Sequence, residues 1–186
     1  MKRILAGTLL GLTSVVVIAL GAIYTGVFNV AAFTQETGLA RWIMRTGMEQ
    51  SVRVRAKNIA VPLLTDSAMI RIGFDHYDEM CVTCHGSPAG GRSEAGQGLN
   101  PPAPNLAISA RDWTPSELYW IIGNGIRMTG MPAFAPTHEP KEVWAMVAFL
   151  KKMVAMDSTQ YSAMKMAVME QPEETGHSEH HHHGED

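Results

Sequence analysis

Charged residues are missing from the chain between Arg3 and Glu36, and residues 4–28 form an unbroken, mostly apolar run of 25. As a helix that run would be about 37 Å long at about 1.5 Å per residue. A bilayer core takes about 20 apolar residues, whereas the core of a cleaved signal takes only about 7–15. The pattern therefore predicts a helix retained in the membrane, with Lys2 and Arg3 on the cytoplasmic side and the rest of the chain outside. Cleavage beside the small residues Val30-Ala31-Ala32 is the alternative, and it leaves the remainder in the same compartment.

Beyond the apolar run the period becomes helical. Residues 37–60 predict a helix with Leu39, Trp42, Ile43, Val52 and Val54 on an apolar side and Arg41, Arg45, Arg53, Arg55 and Lys57 around it. It lies on anionic headgroups or packs beside the next domain, or it is a plain linker with a solvated basic face; Pro62 closes it. Residues 68–84 predict a second helix, followed by a glycine-rich loop over 86–98. Thr114-Pro115-Ser116-Glu117 has the form of a capping box with proline at the first helical position, opening a helix that runs to about residue 123. In 139–156, Val143, Met146, Val147, Leu150 and Val154 recur at helical spacing and mark a core stripe. Residues 158–171 predict one more helix, and the polar stretch after Pro172 predicts disorder. No segment alternates like a strand, so the fold class is all-α.

Composition narrows the function. The 186 residues carry a net charge of −3 with 46% hydrophobic side chains, which fits a folded domain and speaks against a nucleic-acid binder. The charge is unevenly placed: +5 over residues 1–61, −2 over 62–156 and −6 over 157–186. Two cysteines are too few for a disulfide-built scaffold. The expected organisation is a transmembrane signal-anchor (1–35), a basic juxtamembrane linker (36–67), a globular domain (68–156), and a helix with an acidic, His-rich tail (157–186).

The chemistry sits in Cys81-Val82-Thr83-Cys84-His85. On a helix, spacings of three and four put these side chains on one side. Two thiols so placed can add across the two vinyl groups of a haem, and the adjacent imidazole can bind its iron; the spacing is that of c-type haem attachment. A thioredoxin-like pair would need a βαβ context, and a structural zinc would need further paired Cys or His. Downstream, Gly130-Met131-Pro132 offers a thioether on a loop held between a glycine and a proline. A soft thioether opposite histidine favours ferrous iron and suits electron transfer. Met131 is the expected second axial ligand, with Met128 its competitor.

With these motifs in place, residues 68–156 resemble the class I, mitochondrial-type c-type cytochromes in a membrane-anchored, monohaem bacterial form. Gly73 and Tyr77 stand where that family has a glycine and an aromatic on its first helix. Phe149-Leu150-Lys151-Lys152 is similar to its last-helix signature, and Pro104-Asn105-Leu106 to the loop whose proline carbonyl accepts the proximal histidine's Nδ1–H. The resemblance implies one covalent haem c, held by Cys81 and Cys84, with His85 and Met131 as axial ligands and Pro104 orienting His85. It implies single-electron transfer between respiratory redox partners, as a shuttle or as a subunit of a membrane complex at the periplasmic face of the inner membrane. No small-molecule substrate and no catalysis of its own are expected. An ~90-residue helical domain has little apolar interior, so the haem would complete the core.

Two alternatives stand beside this one. A labile Met131 would open iron to gas or peroxide, giving a sensor or a peroxidase-like catalyst. The tail's His177 and His180 to His183, with the methionines of 153–169, would suit a metal-handling protein. His76 is expected on a solvated face, and His138 as an ordinary loop histidine.

Overall fold

A computed structural model of the chain describes residues 2–27, 29–34 and 38–170. It divides into two compact units, residues 1–37 and residues 38–186. In the first, α1 (Lys2–Tyr24) is the apolar run in helical form. From Arg3 to Tyr24 it has a mean hydropathy of 2.3 and none of it is buried, so it is long and apolar enough to cross a bilayer.

The second unit is helical throughout, and no strand occurs among the described residues. Its elements are α2 (Gly38–Ala56), α3 (Ser67–His76), α4 (Val82–His85), α5 (Glu94–Gln97), α6 (Leu106–Ser109), α7 (Pro115–Asn124), α8 (Pro140–Met153) and α9 (Ser158–Met169). The helix expected over 68–84 is not continuous. Between α3 and α4 the backbone widens into a π turn at Tyr77–Cys81, where Val82 N–H donates to the carbonyl of Tyr77. One extra residue per turn re-aims everything that follows, and such turns are frequent at functional sites.

The elements start where side chains satisfy the free N–H groups of a first turn. Asp66 accepts from Ala68 N–H at the head of α3, and Thr114 with Glu117 closes the expected capping box at the head of α7. Glu139 with Glu142 and Asp157 with Gln160 do the same for α8 and α9.

The core forms where α3 crosses α8. Phe74 meets Phe149 edge-on with ring centroids 5.3 Å apart, and Tyr77 packs on the same Phe149 ring. The predicted stripe of α8 is buried at Val143, Met146, Val147 and Leu150, while Val154 is only half-buried. Tyr119 of α7 stacks on Trp144 of α8 at 4.2 Å. Tyr161 of α9 is buried against Phe74 and Phe149, so α9 is part of this body. The basic helix α2 also packs into it, against α7, with Val52 and Ala56 buried.

Candidate haem-attachment site

The Cys-x-x-Cys-His segment runs from the end of the π turn through α4. Cys81 and Cys84 are unpaired, half-buried thiols. Burial, with a smaller contribution from Cys84, pushes the Cys81 thiol up to about 12, so it stays neutral. Gly86 ends α4 with a φ of +70°, a left-handed conformation that glycine adopts without strain, and its N–H donates to the Val82 carbonyl. The buried Tyr77 hydroxyl donates to the Gly86 carbonyl and ties the head of the π turn to the end of α4.

Behind the motif the glycine-rich loop folds back. Ser93 donates to the Thr83 carbonyl through both its N–H (3.0 Å) and its hydroxyl (2.9 Å). A Cβ on Gly96 would lie 2.5 Å from that carbonyl oxygen and 2.9 Å from the Cα of Cys84. Gly96 thus lets α5 approach the motif closely.

His85 is positioned by the loop that enters α6. Its Nδ1 lies 2.8 Å from the carbonyl oxygen of Pro104. A carbonyl can only accept, so Nδ1 carries the proton; burial lowers the imidazole's affinity for a second one. The result is a neutral ring with its lone pair on Nε2, the form needed to bind a metal. Pro104 is held in turn by the residue after it: Asn105 caps α6 by accepting from Ala107 N–H at 3.0 Å. In the run Asn100-Pro101-Pro102-Ala103-Pro104, the carbonyl that meets His85 is that of Pro104.

Met131 lies on a loop strapped to the end of α7. Ile126 N–H donates to the Met131 carbonyl, Phe134 N–H to Ile122 and Ala135 N–H to Gly123, at 3.0–3.2 Å. Thr129 accepts from Met131 N–H at 3.1 Å and donates to Ile126 at 2.7 Å. Two glycines make room. Gly125 has a φ of +63°, and a Cβ there would meet the Met131–Ala133 backbone at 2.6–2.7 Å; a Cβ on Gly130 would strike Leu99. The Met131 side chain is half-buried and packs against the main core cluster, as does Cys81. Met128, by contrast, is 81% exposed, with a φ of +61°.

Sequence reasoning missed one anchoring contact in this region. Lys151 donates to the carbonyls of Trp113 (2.7 Å) and Ala110 (3.1 Å), pinning the turn Ala110–Asp112 before α7 to the last turns of α8. Burial lowers its pKa. A long cation near the C-terminal end of α8 was the available signal.

His76 departs from expectation. It is half-buried, with its ring 5.2 Å from that of His138, and burial followed by His138 lowers its pKa. The α3 face carrying it meets the segment before α8. His138 itself is fixed by its N–H donating to Phe134 at 2.9 Å.

The donor set fits a c-type haem: two unpaired thiols three residues apart, an oriented neutral imidazole beside them, and a thioether on a strapped loop packed against the same core. No group of three or more His, Cys, Asp or Glu placed to hold a metal ion occurs among the described residues. The tail histidines lie outside the described residues, and the metal-handling alternative with them. An open depression of about 370 Å³ borders α9, and its lining includes none of Cys81, Cys84, His85 or Met131.

No curated protein matches the chain. Residues 68–150 match the family model described as cytochrome c oxidase, cbb3-type, subunit III. That segment contains the Cys-x-x-Cys-His motif, the Pro104 loop and Met131, and the match supports a c-type cytochrome with covalently bound haem and a haem-based electron-transfer role.

Proposed function

We propose that the protein is a membrane-anchored monohaem cytochrome c that passes single electrons between respiratory redox partners at the outer face of a bacterial cytoplasmic membrane, as a shuttle or as a subunit of a complex. In this reading Cys81 and Cys84 hold the haem through two thioether bonds, His85 is the proximal ligand and Met131 the distal one. The hydrogen bond from His85 Nδ1 to Pro104, at 2.8 Å within a Cys-x-x-Cys-His segment, carries the proposal. It fixes the tautomer and the plane of the ring, which a metal-binding imidazole requires and a solvated surface histidine does not.

When bound, the haem supplies a one-electron ferric/ferrous couple. The chain's own work is to hold both axial donors still, so that little reorganises on a change of charge, and to keep water from the iron. Filling both axial positions leaves no site for a substrate, so the chain is a carrier and not an enzyme by itself. The apolar α1 supports the anchor, with residues 1–35 as signal-anchor, 36–67 as basic juxtamembrane segment, 68–156 as cytochrome domain, and 157–186 as a helix, α9, that packs on that domain through Tyr161, followed by an acidic, His-rich tail.

The test is a haem-stained denaturing gel of the chain expressed with haem-attachment machinery, together with a potentiometric titration. Haem should migrate with the polypeptide, vanish from it in the Cys81→Ser/Cys84→Ser variant, and titrate as a single one-electron wave at one haem per chain. Haem that leaves the wild-type chain on denaturation would refute the proposal.

A further inference from the structure

Helix α2 has two apolar sides, and only one of them is used. Val52 and Ala56, one turn apart, are each 1% exposed on the side that packs against α7. Leu39, Trp42, Ile43 and Val54 are between 53% and 67% exposed. At about 100° per residue, Ile43 and Val54 fall within about 60° of Leu39 and Trp42 lies about 60° to its other side, whereas Val52 sits about 220° round. Scattered surface hydrophobics are ordinary, but Leu39, Trp42 and Ile43 lie together on the first turns and form a patch that water does not favour; Val54 lies about 16 Å further along the same side at about 1.5 Å per residue, beyond Thr46, Gln50 and Arg53.

The charge of α2 is largely of one sign and lies mostly away from that patch: on the same rotation Arg55, Arg41 and Arg45 fall about 160°, 200° and 240° round from Leu39, and only Arg53 lies beside it. Helix α2 carries Arg41, Arg45, Arg53 and Arg55 against a single acid, Glu49, for a net charge of +3. Glu49 is already engaged by Arg45 at 2.8 Å and by Arg53 at 3.7 Å. A helix with an exposed apolar side, a tryptophan on it and an excess of arginine suits the boundary between acyl chains and anionic headgroups, where long cationic side chains reach outward to the phosphates. The chain also brings α2 to such a surface: 13 residues separate Tyr24, at the end of the apolar helix, from Gly38. Fully extended they would reach at most about 47 Å.

We infer that α2 docks the cytochrome domain on the membrane surface, with Leu39, Trp42 and Ile43 inserted among anionic phospholipids; the inference rests on the proposed membrane anchorage through α1. Because the other side of α2 packs against α7, and α7 leads into the Met131 loop, docking fixes the orientation of the site toward the bilayer. The domain is then held at the surface and does not swing freely on a flexible tether.

The test uses the full-length holoprotein in nanodiscs of phosphatidylcholine alone or mixed with phosphatidylglycerol. A spin label at Ile43→Cys is compared with one at Ala163→Cys, on the exposed side of α9. In the anionic discs the label at 43 should favour oxygen over a water-soluble nickel chelate several-fold relative to the label at 163, at a depth of about 5–10 Å. Leu39→Ser with Trp42→Ser should return it to water. Free access of the nickel chelate to position 43 in anionic discs overturns the inference. Shielding of that label from both reagents overturns it as well, in favour of a protein partner or a second copy. Alkaline carbonate extraction separates the two failures: a chain that stays in the membrane with position 43 in water loses only the docking, whereas a chain released to the supernatant loses the anchorage and the docking together.

Discussion

Gly73 of α3 lies directly on the backbone of Ala145 in α8: a Cβ at position 73 would overlap the Ala145 carbonyl and come within 2.9 Å of the Phe149 Cβ. The carbonyl belongs to a helix and cannot swing aside, so relief requires the two helices to part, and they carry the core between them. Gly73→Ala is therefore expected to destabilise the holoprotein by at least about 1–3 kcal/mol, as overpacking does. Gly47 of α2 has nothing within 4 Å of its missing Cβ, and Gly47→Ala is expected to raise stability by about 0.5–1 kcal/mol. Thermal unfolding should move the two variants in opposite directions, and equal shifts would contradict the packing described.

Asp78, in the π turn, accepts from the Tyr161 hydroxyl at 2.9 Å and pairs with Lys165 at 2.8 Å, so α9 is fastened to the turn that leads into the cysteines. Tyr161→Phe keeps the buried ring and removes the bond, for an expected loss of about 0.5–1.5 kcal/mol. Truncation after residue 156 also uncovers Phe74 and Phe149 and should lower the melting temperature much further. A truncated holoprotein as stable as the full chain would show that α9 is not part of the core.

The paired rings of His76 and His138 give stability a pH dependence. Burial and then His138 lower the pKa of His76, with Glu142, Glu79 and Asp75 opposing. The unfolded chain takes up this proton near the ordinary value of about 6.5, the folded chain at a lower pH. The contribution is therefore complete above about 6.5 and is lost as pH falls below it toward the folded value. Asp75 shifts the other way, its carboxyl raised above the ordinary value chiefly by burial, with Arg71 and His76 opposing. Melting temperature should fall between about pH 7 and pH 5.5, and His76→Gln should flatten that fall. An identical fall in both proteins would remove His76 as its source.

Gly125 combines a φ of +63° with a site where a Cβ would lie 2.6–2.7 Å from the Met131–Ala133 backbone. Gly125→Ala is strained on both counts and should loosen the Met131 loop before it unfolds the domain. Reduced Gly125→Ala holoprotein is expected to bind carbon monoxide where the wild type does not, with helical content by circular dichroism nearly unchanged.

Much of this arrangement was legible in local spacing. The Cys81–His85 motif, the Thr114–Glu117 capping box and the α8 stripe are short-range patterns, and the helices they mark are present. Three features were not legible, because they depend on contacts far apart in the chain. The π turn at Tyr77–Cys81 goes with a buried tyrosine whose hydroxyl reaches Gly86, and no periodicity reports that. His76 and His138 are 62 positions apart and become partners only when α3 meets the segment before α8. In α2 the apolar positions read as one side; packing against α7 took Val52 and left Leu39, Trp42, Ile43 and Val54 outside.

The central claim is that the iron is closed by His85 on one side and Met131 on the other. The most direct measurement is the optical spectrum of the dithionite-reduced holoprotein, recorded before and after carbon monoxide. A spectrum that carbon monoxide leaves unchanged in the wild type and alters at once in Met131→Ala is the predicted result. Prompt binding of carbon monoxide by the wild type would contradict the account, because Met131 would then not be a firm ligand and the site would be open to small molecules.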